Sequence, residues 1–183
     1  MADEKIRWGI ISTARIGRTA FIPAMRETAD GEVVAVASRS RETGEAFAKE
    51  HGIETVFDSY DALLESDSID AVYNPLPNHL HVSWSVKAAE AGKHVLCEKP
   101  IALSSAEALE LVEARDRTGV KIQEAFMVRT HPQWVAVRDR VREGAIGQLT
   151  AAQFVFSYFN RDPDNIRNKA DIGGGAVMDI GCY

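Results

Sequence analysis

From Ile6 to Met127 the chain alternates short apolar runs with segments of helical periodicity. Six runs read as strands: IRWGIIS (Ile6–Ser12), GEVVAVASR (Gly31–Arg39), ETVF (Glu54–Phe57), IDAVYNP (Ile69–Pro75), KHVLCEK (Lys93–Lys99) and VKIQEAFM (Val120–Met127). The spacing between them predicts helices over Ile16–Thr28, Arg41–His51, a segment capped by Asp58 or Ser59, and His81–Ala91, which Gly92 ends. A further helix over Ser104–Gly119 has a Ser cap, Glu107 in its first turn and a terminal Gly. Pro23 fits the first predicted helix in an early turn or at a break. Strands that are apolar almost throughout are buried on both faces, so the pattern predicts a parallel sheet with helices on each side. With right-handed crossovers this is an α/β, doubly wound, Rossmann-like domain over residues 1–128. Residues 129–183 read as the beginning of a second, α+β domain: a helix at Pro132–Glu143, a strand at Leu149–Phe159, a polar loop over Asn160–Gly175 and a helix start in GGGAVMDIGCY.

Composition narrows the partners. The 183 residues are 45% hydrophobic and 26% charged, enough to bury a sizeable core. A net charge of -6 leaves no overall basic surface for nucleic acid or an anionic membrane, so an anionic cofactor needs a locally built positive site. The two cysteines, Cys97 and Cys182, match no metal spacing and suit a reducing compartment. The opening MADEKIRWGII is acidic and lacks the apolar run of a secretory signal, and no stretch reaches the ~20 apolar residues of a membrane span. A cytoplasmic location is the expectation. His79, His81, His94 and His131 form no ligand spacing, so no metal is expected.

The candidate chemistry begins after the first strand. A dinucleotide-binding turn needs small residues where the chain turns, where backbone approaches the pyrophosphate, and where helix packs on strand. Those places hold Ser12, Ala14 and Gly17. The hydroxyls of Ser12 and Thr13, the charge of Arg15 and the helix start at Arg15 and Ile16 all suit an anion. An ordinary strand-to-helix turn is the competing reading. At the tip of the second strand Ser38 and Arg39 stand where an NAD-specific chain carries a carboxylate, which favours a 2′-phosphate and hence NADP. Arg39 and Arg41 as solvated loop charges are the alternative. The turns after the fourth and fifth strands, NPLPNHLH (Asn74–His81) and CEKPIA (Cys97–Ala102), lie at the carboxyl edge, where ligands of open sheets bind.

These motifs together resemble the glucose–fructose oxidoreductase / inositol dehydrogenase family (Gfo/Idh/MocA): WGIISTARIG, VYNPLPNHLH, EKP, EAFMVRTHP and GGGAVMDIGCY occur in order across the chain. The chain is most similar to the NADP-dependent branch with D-xylose dehydrogenases, dihydrodiol dehydrogenases and glucose–fructose oxidoreductase. That branch tolerates Ser and Ala in the turn and has Tyr where inositol dehydrogenases have His. The resemblance implies hydride transfer between NADP(H) and a sugar, polyol or cyclic diol. It implies a cofactor site from Ser12, Thr13, Ala14, Arg15, Ile16, Ser38, Arg39, Pro75, Leu76, Asn78, His81, Glu98 and Lys99. Catalysis would fall to Lys99, Asp179 and Tyr183: Lys99 holding the reacting oxygen, Tyr183 exchanging its proton, Asp179 orienting substrate or tyrosine. The second domain would carry substrate specificity and a sheet through which the protein forms a homo-oligomer.

The chemistry is coherent in its own terms. Hydride leaves an alcohol carbon only as the O–H proton leaves. A phenol with a pKa of about 10 is a poor base near neutrality until an ammonium stabilises its phenolate. The same ammonium stabilises a developing alkoxide. An alternative is an NADP-binding module without turnover, because the second domain is incomplete. A methyltransferase-like Rossmann protein is a more distant option, for it leaves the EKP turn unexplained.

Overall fold

The structure, a computed structural model, describes residues 5–183. The acidic opening Met1–Glu4, part of the reading of the N-terminus as unlike a secretory signal, lies outside the described residues. The chain forms two compact units, one ending at Glu124 and one spanning Ala125–Tyr183.

The first unit carries β1 (Ile6–Ile11), β2 (Gly31–Ala37), β3 (Thr55–Phe57), β4 (Ala71–Asn74), β5 (His94–Glu98) and β6 (Ile122–Ala125). Their order in the sheet is β3-β2-β1-β4-β5-β6, and the β1–β2, β1–β4, β2–β3 and β4–β5 pairs are parallel. This is the doubly wound Rossmann topology, with its switch of direction beside β1 and β4. Successive strand residues face opposite sides. Ile11, Ala35, Ala37, Val72 and Val95 join one buried cluster, while Ile10, Val36 and Tyr73 join the other.

The helices follow local signals. α2 (Arg41–His51) starts at Ser40, whose hydroxyl accepts from the Thr43 amide, and ends at Gly52 in the left-handed region. α3 (Tyr60–Glu65) uses Ser59, whose hydroxyl accepts from the Ala62 amide. α4 is His81–Glu90. α5 (Ser105–Thr118) has the expected box, with Ser104 accepting from the Glu107 amide, although the Glu107 carboxylate reaches one residue further back, to the Leu103 amide at 2.8 Å. The first predicted helix is more irregular. A π-type stretch over Gly17–Phe21 precedes α1 (Ile22–Glu27), and Pro23, which has no N–H to give, sits at the start of α1.

At the edge of the sheet opposite the ligand side, Arg7 donates to both Asp70 carboxylate oxygens, at 2.6 and 3.0 Å. The Arg7 hydrogen bond holds the Asp70 carboxyl below its usual range, against a smaller opposing effect of burial. A depressed carboxylate pKa contributes stability above the unfolded value of about 4 and loses it on acidification. Both side chains are more than a third exposed, so screening limits the effect. Asp70→Asn is expected to cost about 1 kcal/mol at neutral pH. That difference should shrink towards zero at about pH 2, as compared by urea midpoints at the two pH values.

The second unit contains α6 (Pro132–Arg142), entered through His131, whose Nδ1 accepts from the Gln133 amide. It also holds short 3-10 turns at Ile166–Asn168 and Ala170–Ile172 and a π-type helix at Val177–Gly181. The strand expected over Leu149–Phe159 is not formed. A strand exists only by pairing, and among the described residues of this unit no partner strand is present. Phe154, Val155, Phe156, Tyr158 and Phe159 are accordingly all at least half exposed.

Candidate active site

β1 ends at Ile11, and the chain must turn sharply to enter the helix. Ser12 makes that turn with φ of 105°, the only described non-glycine residue in the positive region. It therefore occupies the conformation for which glycine is usually required. Its hydroxyl accepts from the Ala14 amide at 3.3 Å, which helps a side-chain residue hold this shape. Thr13 and Ala14 are partly buried, and Arg15 and Ile16 are exposed at the helix start, where the first amides have no intrahelical partners. Gly17 is buried beside Ile10 and Tyr73.

At the tip of β2, Ser38 is buried and its hydroxyl accepts from the Ser40 amide at 3.2 Å. Arg39 is exposed and lies beside the Tyr60 phenol, whose pKa burial raises and Arg39 opposes. Arg41 is turned elsewhere. It holds Glu45 at 2.8 Å and Asp58 at 3.0 Å. Of the two arginines, only Arg39 projects from the strand tip without an ion pair among those the structure shows.

Beyond β4, Pro75 and Leu76 are buried and Asn78 is partly exposed. His81 is interior, with its two ring nitrogens 2.7 Å from the carbonyl oxygens of Leu76 and Pro100. Beyond β5, Glu98 and Lys99 are half-buried, and the Lys99–Pro100 peptide is cis. Glu98 is tied by a partner that sequence reasoning missed: the Tyr73 hydroxyl donates to Glu98 Oε1 at 2.6 Å. Tyr73 is buried and stacks on Phe21 with ring centroids 4.1 Å apart. Burial, then the Glu98 carboxylate, pushes its phenol far above the usual range, so Tyr73 stays protonated and donates. A phenol inside an otherwise apolar strand is the signal that could have revealed it, because a buried hydroxyl needs a partner. Cys97, just before, is buried and its thiol is pushed up to about 12, chiefly by burial, so it is no nucleophile.

In the second unit, Asp179 lies on the π-type helix and is largely buried, its side chain 12% exposed. It accepts from the Tyr158 hydroxyl at 2.5 Å and from Arg167 Nε at 3.1 Å. The Asp179 hydrogen bond is the main cause of a raised Tyr158 pKa. Neither Tyr158 nor Arg167 was legible as a partner: Tyr158 sits in the segment read as a strand and Arg167 in the polar loop, and neither reading names a contact with Asp179. Tyr183 is partly exposed and its ring packs edge-on against Phe126 and Phe156, at 5.1 and 5.6 Å between centroids. Beside these residues is a cavity of about 530 Å³ lined by Phe156, Tyr158, Asn160, Arg167, Ala176 and Ile180. That volume is of the order that small-molecule sites occupy. Both π-type stretches among the described residues thus fall in motifs singled out for function. Among the described residues no helix is long and apolar enough to cross a membrane, and no group of three His, Cys, Asp or Glu is placed to hold a metal ion.

The sheet order, the turn at Ser12 and the loops at the carboxyl edge define a dinucleotide-binding class of protein. The chain belongs to the Gfo/Idh/MocA oxidoreductase family with an NAD-binding Rossmann fold: that family matches residues 6–126, and its C-terminal domain matches residues 134–183. An uncharacterized oxidoreductase of Rhizobium meliloti is 52% identical over 180 residues, covering 98% of this chain and 54% of that protein. A D-xylose 1-dehydrogenase (NADP(+)) of Haloferax volcanii is 44% identical over 180 residues, covering 96% of this chain and 54% of that one. Among solved structures, a 3-ketoreductase from Actinomadura kijaniata in complex with NADP and TDP-benzene is 40% identical with a TM-score of 0.88, over 98% of this chain and 55% of that chain. The chain spans about half the length of the curated relatives it matches.

Proposed function

We infer that the protein to which this chain belongs binds NADP(H) and transfers hydride to or from a carbon bearing oxygen on a sugar, polyol or cyclic diol. The observation that carries this reading is the left-handed backbone of Ser12, which holds a serine in the glycine place of a phosphate-binding turn. A residue adopts that conformation at a cost and keeps it where the surroundings require it. The hydroxyls of Ser12 and Thr13, the amides at the helix start and Arg15 fit a pyrophosphate. Ser38 and Arg39 fit a ribose 2′-phosphate, and Pro75, Leu76, Asn78 and Glu98 border the reactive end of the cofactor in this reading. The D-xylose dehydrogenase and the 3-ketoreductase, both NADP proteins by name or complex, support the same assignment.

Bound NADP(H) supplies or accepts the hydride. The chain's own groups do the rest. Lys99, an ammonium on a tied loop, holds the reacting oxygen and stabilises negative charge as it develops. Tyr183 gives or takes the proton at that oxygen. Asp179, held by Tyr158 and Arg167, fixes the wall of the second unit's cavity, whose amide and guanidinium groups suit hydroxyl-rich ligands. The exposed apolar segment Phe154–Phe159 suits pairing with further sheet and, through it, a homo-oligomer.

Titration of protein fluorescence with NADPH and NADH tests the cofactor half. NADPH is expected to bind at least tenfold more tightly than NADH, because charge-assisted hydrogen bonds to a phosphate contribute about 1.5–3 kcal/mol. Arg39→Ala is expected to remove most of that preference and to leave NADH binding within about twofold. Equal affinities in the unchanged protein refute the assignment of Arg39.

A further inference from the structure

The interior of the first unit is polar at one place. Of the four buried polar side chains the structure shows, Ser38, Asn74, His81 and Ser85, three form one hydrogen-bonded group beneath the ends of β4 and β5. Asn74 Nδ2 donates to the His81 carbonyl and to Ser85 Oγ, both at 3.1 Å, and Asn74 Oδ1 accepts from the Leu76 amide at 3.3 Å. Burying such groups is costly and is tolerated only when they are satisfied. An apolar core would be simpler, so what this group holds in place matters.

It holds two loops together. The His81 ring spans from the Leu76 carbonyl to the Pro100 carbonyl, 2.7 Å on each side. Leu76 belongs to the loop after β4, and Pro100 follows Lys99 directly. Carbonyl oxygens only accept, so a neutral ring donates to one of them, and the second contact becomes a hydrogen bond only when the ring takes a second proton. Burial is the dominant effect and lowers the imidazolium's pKa, against the two carbonyls and the carboxylates of Glu98 and Glu124. On the other side of Lys99, Glu98 is fixed by Tyr73, and the Ile101 amide donates to Glu124 at 2.9 Å. Lys99 therefore stands on a backbone that is tied immediately before and immediately after it.

We propose that His81 is the positioning residue for Lys99, its ring clamping the carbonyl that follows the lysine to the loop after β4. This rests on the reading of Lys99 as the group that holds the reacting oxygen. Its job is geometric: a displacement of about 1 Å at a reacting group costs on the order of 100-fold in rate. A bulky apolar residue of similar size fills the space but removes the ring's N–H donor, whereas a glutamine amide puts a donor back.

The test uses the full-length protein with its sugar or diol substrate and compares His81→Leu, His81→Gln and Lys99→Met. His81→Leu is expected to lower kcat about 10- to 100-fold; because both His81 ring nitrogens face the Leu76 and Pro100 carbonyls, NADPH affinity is expected to stay within about threefold. The basic limb of its kcat–pH profile is expected to move up by about one unit, since a displaced ammonium no longer favours the phenolate. His81→Gln is expected to recover part of the kcat and part of the shift. A His81→Leu protein with unchanged kcat and pH profile overturns the proposal, as does one in which NADPH affinity falls and kcat does not. If kcat, affinity and Tm all fall together and His81→Gln restores none of them, the role is general folding and the proposal fails. Lys99→Met separates the two levels: full activity there sinks the reading of Lys99 itself, and loss of activity there with a silent His81 sinks only this inference.

Discussion

Lys99→Met in the full-length protein is expected to lower kcat by about 10³-fold or more, with NADPH affinity changed no more than a few-fold. Two losses add in that variant. The ammonium no longer stabilises charge on the reacting oxygen, a contribution of about 10²–10³ in rate where comparable donors have been removed. In the proposed mechanism the ammonium also eases proton transfer at the reacting oxygen, and that contribution is lost with it. Met keeps the length and apolar stem of lysine, so packing of the half-buried side chain is largely preserved. The measurement is steady-state kinetics beside NADPH titration on the same sample. Retained kcat removes Lys99 from the chemistry. Lost affinity with intact kcat makes it a cofactor anchor instead. Lys99→Arg is a sharper variant still: it keeps the charge but replaces a compact donor with a planar fork, and it is expected to recover little.

Much of the first unit was legible because its signals are local. Six apolar runs became six strands, Ser104 became the expected cap, and of Asp58 and Ser59 it is Ser59 that caps, since each needs only its own neighbourhood to act. The turn at Ser12 was legible in composition but not in conformation: small residues say that backbone passes closely, while the positive φ appears only in the structure. What stayed hidden is pairing at long range. Tyr73 and Glu98 are 25 positions apart and His81 and Pro100 are 19 apart, and nothing in either segment names the other. The segment Leu149–Phe159 shows the opposite failure. Its apolar, β-branched and aromatic residues have strand propensity, but a strand needs a neighbour, and the described residues of this unit supply none. Asp179 and Tyr183 are four residues apart, a spacing that suits one helical face. The partners that fix the Asp179 carboxylate, Tyr158 and Arg167, come from the segment read as a strand and from a 3-10 turn in the polar loop, at separations that no helical spacing announces.

The run Gly173-Gly174-Gly175 precedes the Asp179 helix and supports the second large prediction. The three glycines differ in their reasons. Gly173 and Gly175 have φ of 81° and 108°, so a side chain there costs about 1–2 kcal/mol of backbone strain. Gly174 is enclosed instead. A Cβ there falls 2.5 Å from the Lys169 carbonyl oxygen, 2.6 Å from that of Ile166 and 2.8 Å from that of Arg167. All three are backbone atoms, and two of them, the Lys169 and Arg167 carbonyl oxygens, accept from the Gly174 and Gly175 amides. No side-chain rotation relieves the clash, so the turn must open. Gly174→Ala is therefore expected to destabilise the second unit by about 3 kcal/mol or more, above the usual range for overpacking. Opening that turn also releases Arg167 from Asp179 and leaves the carboxylate without its guanidinium partner. The expected result is rapid proteolysis within Asn160–Gly175 and loss of turnover, while NADPH is still bound by the first unit. Gly174→Ala with wild-type protease resistance and kcat would show that the carbonyls around it yield, and that the close approach does not hold the Asp179 helix in place.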